Sequence, residues 1–233
     1  FYADLNTLVE TIVKPEVGDK KLFLMAHSMG GAISTGYLQK YQDNPFVAVA
    51  LSSPMLKIYE NLGTEDENTE WTKTWKTAAG CLFGQCNDYV PEGTDDDYLT
   101  YGVDDPNTEE DEFETQNELT TSRIRFELYK HVREKFPETK LGSPTIRWVR
   151  QSSEANYWMR RERNVKKMGD KPLLILQSEK DTIVANEGQN EVCDRHENCE
   201  LYVAKDAKHE IFVEQDFIRT LAMKKIFDFF GKY

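Results

Sequence analysis

Ser28 is the first residue with a case for chemistry. It lies in "LFLMAHSMGGAIS" (22–34), where an apolar run ends at His-Ser-Met-Gly-Gly and a helix-friendly segment follows. A serine at such a strand-to-helix corner fits the G-x-S-x-G pattern, in which a strained turn lifts the hydroxyl from the sheet edge to attack a carbonyl. The residues two before and two after it must be small, or strand and helix would clash as they close together. Here they are Ala26 and Gly30. Ala26 departs from the usual glycine but remains small. The plain alternative is an ordinary strand–helix turn that happens to hold a serine.

A serine nucleophile needs a base, and His27 is not it. Neighbours in sequence at such a turn point apart, so the base must arrive from elsewhere in the chain. The partners are expected in the order serine, acid, histidine. "PLLILQ" (172–177) leads into "SEKDTIV", which holds Asp181, and "ELYVA" (200–204) leads into "KDAKHEIF", which holds His209. Glu179 is the rival acid. Glu179 and Asp206 otherwise read as surface carboxylates, and His131 and His196 as packing or surface residues on helices. The expected chemistry is acyl transfer. Ser28 attacks, His209 carries the proton, and Asp181 holds the imidazole tautomer. The backbone N–H of Met29 supplies one oxyanion donor. No residue is assigned to the second donor, and the scheme needs no metal and no cofactor.

These residues must be positioned by a parallel sheet. "KLFLMA" (21–26) and "FVAVALSS" (46–53) read as buried strands joined by a helix over Met29–Tyr41. The pattern returns as strand 172–177, helix Ala185–His196, strand 200–204 and an amphipathic helix Asp216–Phe230. Parallel strands would bring Ser28, Asp181 and His209 to one sheet edge, where open α/β sheets bind ligands. The expected organisation is a core over 1–54, an inserted helical cap over 55–168, and a second part of the core over 169–233. The cap reads as helical around Trp71–Phe83, Leu119–Phe136 and Thr145–Arg161, with an acidic surface loop over 91–118. Leu5, Leu8, Val9 and Ile12 have helical spacing, and the chain opens at Phe1 without Met. It is therefore expected to start inside a helix, with the first half of the sheet and any targeting signal lying upstream.

Composition narrows the partners. A hydrophobic content of 39% supports a full core, while a formal net charge of -12 argues against general nucleic-acid binding. Arg147, Arg150, Arg160, Arg161, Arg163, Lys166 and Lys167 form a basic stretch in this acidic chain. It reads either as a phosphate or membrane contact or as a charged helix face offset by Glu154 and Glu162. The cysteines fall into two local pairs, Cys81 with Cys86 and Cys193 with Cys199. The spacing suits zinc poorly. Free thiols in a reducing compartment are the first reading, and local disulfides in an exported protein the second.

At this point the chain resembles a known family. "HSMGGAIS" is similar to the monoacylglycerol-lipase and lysophospholipase branch of the α/β-hydrolases. "LSSPMLKI" (51–58), "NELTTSRIRFELY" (117–129), "LGSPTIRWV" (141–149), "LLILQSEKDTIVANEGQNEVC" (173–193) and "AKHEIFVEQDFIRTLAMKKIFDFF" (207–230) resemble the bacterial lysophospholipases of the L-two type. The resemblance covers nearly all of the chain, the insertion included. It implies an α/β-hydrolase fold with a helical cap, and hydrolysis of a carboxylic ester in a lysophospholipid or monoacylglycerol. Ser28, Asp181 and His209 fall on the family's triad positions. No cofactor is implied. The location implied is cytoplasmic or peripheral on the bacterial inner membrane, with export left open. Trp71, Trp75, Phe83, Trp148 and Trp158 would line an apolar trench for one acyl chain, or else form the cap's own core. The rival activities are a general carboxylesterase, a peptidase, and acyl transfer to another alcohol. A catalytically silent binding protein on the same fold is the rival of a different class.

Overall fold

The computed structural model describes residues 1–58, 79–90, 93–95, Phe113 and 117–233. Its centre is a sheet of four parallel strands in the order β1-β2-β3-β4. They are β1 (Leu22–His27), β2 (Phe46–Ser52), β3 (Leu173–Ser178) and β4 (Cys199–Ala204). Each lies within a residue or two of the run expected from sequence. Leu51 of β2 pairs with both Ala26 and Ile175, and Leu176 of β3 pairs with Tyr202. All four C-terminal ends therefore point the same way.

The alternation of side chains along β2 and β3 builds two cores, one on each face of the sheet. On one face Val49, Leu51, Leu173 and Ile175 pack with Tyr37 and Leu38. These last two come from α3 (Ser28–Lys40), the helix that links β1 to β2. On the other face Ala48, Ala50, Leu174 and Leu176 meet Ile218, Ala222, Ile226 and Phe229. Those four belong to the last helix, which spans Asp216–Phe230 as expected. The first residues are helical, from α1 (Tyr2–Leu8) through a π turn to α2 (Lys14–Val17).

Of the expected cap helices, the described part includes α4 (Arg123–Lys135) and α5 (Ile146–Arg160). Most of the Trp71–Phe83 segment, with Trp71 and Trp75, lies outside the described residues. So does most of the acidic stretch 91–118. Beyond α5 come α6 (Glu162–Val165) and, between β3 and β4, α7 (Asn186–Arg195). No helix among the described residues is long and apolar enough to cross a membrane.

The free-thiol reading of the cysteines is overturned. Cys81 is bonded to Cys86, and Cys193 to Cys199. Local turns bring each pair together. Gly84, at a φ of 86°, reverses the chain inside the first loop. The second disulfide joins the last turn of α7 to the start of β4, with Cα atoms 5.3 Å apart.

Candidate active site

Ser28 sits where β1 turns into α3, at a φ of 50°. That left-handed backbone is costly for a residue with a side chain, and it aims Oγ away from the sheet edge. The spacing argument is half right. A Cβ on Gly30 would lie 4.0 Å from the Ala26 Cβ, an ordinary contact, so alanine is accommodated there. The tight approach is one residue on. A Cβ on Gly31 would come within 2.7 Å of Pro54, so only glycine lets α3 pass the end of β2.

The three expected side chains meet. His209 Nε2 lies 2.8 Å from Ser28 Oγ. His209 Nδ1 lies 2.8 Å from Asp181 Oδ2. Both side chains of the second pair are buried, at 4% and 0% exposure, so solvent screens their bond little. The other Asp181 oxygen, Oδ1, accepts from the amides of Ile183 and Val184 at 2.9 Å each. This local turn fixes the carboxylate and explains why "DTIV" follows the strand. The rival Glu179 instead accepts from the Asp206 amide at the surface. Met29 occupies the first turn of α3, where backbone N–H groups have no intrahelical acceptor.

Sequence reading missed two residues. Ser53, at a φ of 41°, donates from Oγ to the His209 carbonyl at 2.9 Å and exchanges a second 2.9 Å bond with Ser178 Oγ. The signal was the Ser-Ser-Pro sequence at a strand end on the active edge. Glu210, next to the base, lies 3.2 Å from His27 Nε2. His27 thus faces the site without contacting Ser28 Oγ.

Of the aromatic residues expected to line a trench, Trp148 does border a cavity of about 370 Å³, with Met29, Ala32, Ile33, Met55 and Met159 among its other walls. Phe83 is 84% exposed, and Trp158 stands at the surface against Arg161 and Arg163. Neither lines that cavity. Within the basic stretch Arg150 pairs with Glu154 and Lys166 with Glu162, whereas Arg160 is buried and donates to the Leu56 carbonyl. The first two pairs are those expected of a charged helix face; the Arg160 contact is not.

Known proteins give the context. The chain is 31% identical over 205 residues to a probable lysophospholipase L2 of Haemophilus influenzae, covering 87% of this chain and 57% of that protein. It is 30% identical over 228 residues to lysophospholipase L2 of Escherichia coli K12, covering 92% and 58%. The chain therefore spans a little over half the length of these relatives. Among solved structures, a soluble variant of monoglyceride lipase from Saccharomyces cerevisiae superposes with a TM-score of 0.68 at 17% identity, covering 99% of this chain and 68% of that one. The monoacylglycerol lipase of Paleococcus ferrophilus gives 0.67 at 14%, covering 100% and 74%. These likenesses place the fold among the α/β-hydrolases. The profile of the family described as serine aminopeptidase, S33, matches residues 1–216, and the chain belongs to that family.

Proposed function

We propose that this chain carries the catalytic machinery of a serine hydrolase that cleaves the carboxylic ester of a lysophospholipid. The carrying observation is the continuous relay Asp181–His209–Ser28 on the C-terminal edge of the sheet. Ser28 Oγ attacks the ester carbonyl as His209 Nε2 takes its proton. The Met29 amide receives the developing oxyanion. His209 then protonates the leaving alcohol, and water returns by the same route to release the fatty acid. Asp181 keeps Nδ1 protonated and balances the imidazolium charge. No step requires a metal or cofactor.

The lipid assignment draws on the names of the relatives near 30% identity and on the apolar cavity beside Met29. That cavity suits an acyl chain, with Trp148 as its aromatic wall, and the inserted segment 55–168 would serve as the enzyme's cap. A peripheral membrane setting fits a lipid substrate, and exposed Tyr157 and Trp158 beside Arg161 and Arg163 offer an interfacial surface. The two disulfides favour folding in an oxidising compartment.

A substrate panel tests this reading: lysophosphatidylcholine, lysophosphatidylethanolamine, monoacylglycerol, short p-nitrophenyl esters and aminoacyl p-nitroanilides. The account predicts the highest kcat/KM on the lysophospholipids. Preference for the anilides would make the chain a peptidase, and preference for short esters a general carboxylesterase.

A further inference from the structure

Glu210 follows the base in sequence but takes no part in the relay. Its backbone N–H donates to the Leu119 carbonyl at 2.8 Å, which holds this stretch against the segment leading into α4. Its carboxylate turns toward His27, with Oε1 3.2 Å from Nε2. His27 is the residue immediately before Ser28. Two contacts thus lie side by side: Ser28 with His209, and His27 with Glu210. A ring nitrogen of each histidine and a carboxylate oxygen of Glu210 all lie within 4.8 Å of one another. The two imidazole rings have centroids 4.9 Å apart.

The environment of His27 is unusual for a residue that only packs. Both of its ring nitrogens are shut off from solvent, and neither makes an aligned hydrogen bond. Its polar neighbour is Glu210, approached at ion-pair distance. Burial works to raise the Glu210 carboxyl, but the neighbouring His27 and His209 outweigh it and hold the group below the usual carboxylate range. Glu210 is therefore an anion beside the base.

Resting on the assignment of Ser28, His209 and Asp181 as the catalytic relay, we propose that Glu210 is a second carboxylate acting on His209 and that His27 positions it. The pair sets the pH range over which His209 serves as the base. When His209 takes the Ser28 proton, its ring becomes a cation. Asp181 meets that charge at Nδ1, and Glu210 stabilises it through space. Neither Glu210 nor His27 touches the reacting atoms, so both are positioning residues acting through His209. The other groups around His209 are fixed by their own bonds. Asp181 and Ser28 hold the two ring nitrogens. The Glu118 carbonyl faces the His209 amide, Lys208 Nζ reaches the Asn117 carbonyl, and Glu214 accepts from the Lys208 and Thr121 amides. A charge within ~4–6 Å moves an ionisation by about 1–3 pH units when buried. Partial exposure of His27 and Glu210 trims this to about 0.5–1 unit.

The test is the pH dependence of kcat/KM on a p-nitrophenyl ester, measured with the full chain. The variants are Glu210→Gln, Glu210→Asp and His27→Gln, with Ser28→Ala as the blank. Loss of the anion in Glu210→Gln should move the acid limb about 0.5–1 unit to lower pH. His27→Gln keeps the carboxylate but removes its imidazole neighbour, and should move the limb less than Glu210→Gln does. Glu210→Asp keeps the charge and should keep the native limb, and KM should stay within about twofold throughout. A merely structural pair would shift neither limb. A native limb in Glu210→Gln, or a shift of that limb to higher pH, overturns the proposal. If Glu210→Gln does not fold, Glu210→Ser takes its place, a limb moved to lower pH supporting the proposal and an unmoved limb refuting it. Turnover by Ser28→Ala would instead refute the relay on which the proposal rests.

Discussion

Ser53 Oγ donates to the carbonyl oxygen of His209 at 2.9 Å, tying the end of β2 to the loop that carries the base. The loop between β4 and the last helix is held on its other side by the Glu210 amide, which donates to the Leu119 carbonyl at 2.8 Å. Ser178, at the end of β3, completes the tie through Ser53. Two strand ends and the loop after β4 are thus linked behind the reactive edge.

Ser53→Ala should loosen that loop without emptying the site. Loss of a buried hydrogen bond costs about 1–2 kcal/mol of stability. The imidazole then loses registry with Ser28, and kcat should fall by roughly threefold to tenfold. Urea unfolding and steady-state kinetics on the same preparation measure both effects.

Asp181→Asn should leave the fold intact and lower kcat by roughly 10⁴-fold, because the amide favours the wrong imidazole tautomer. Glu179→Gln should change kcat by less than about threefold, since Glu179 only caps the Asp206 turn. A larger loss from Glu179→Gln would exchange the two assignments.

The strands, the last helix and the three relay residues were legible in the sequence for physical reasons. Short apolar runs bounded by turn residues have few other uses, and parallel pairing forces their ends to one edge. Ser53 and Glu210 were not legible, since their roles depend on which strand ends become neighbours. The Gly31–Pro54 approach was missed likewise, because the pattern rule concerns only the turn's own residues. The disulfides were ambiguous because spacing permits them and only the local turn geometry decides. Trp158 and Phe83 were assigned from composition, and aromatic character alone does not say which way a side chain faces.

Burial holds the His196 imidazole below its ordinary range, against the opposing charges of Glu197 and Asp170. The folded chain then binds fewer protons than the unfolded one as acid is added. Stability should therefore be complete above the ordinary imidazole value of about 6.5, and should fall as pH drops from there through the lowered folded value. Urea midpoints at neutral and mildly acidic pH should show this loss. The loss should be smaller in His196→Gln, which retains polar character without the ionisation.

Reduction of Cys193–Cys199 releases the junction of α7 and β4, and should cost about 2 kcal/mol on the chain-entropy estimate for so short a loop. A Cys193→Ser, Cys199→Ser double variant should reproduce the lower Tm and be insensitive to reductant at that site. An unchanged Tm would show that β4 is held by its sheet pairing alone.

The central claim is that Ser28 is the nucleophile. Its most direct measurement is intact-mass analysis after exposure to a fluorophosphonate probe, followed by mapping of the modified peptide. The account predicts one phosphonyl group per chain, located on Ser28, absent in Ser28→Ala and greatly slowed in Asp181→Asn. A phosphonyl group mapped to another residue, or undiminished labelling of Ser28→Ala, would contradict it.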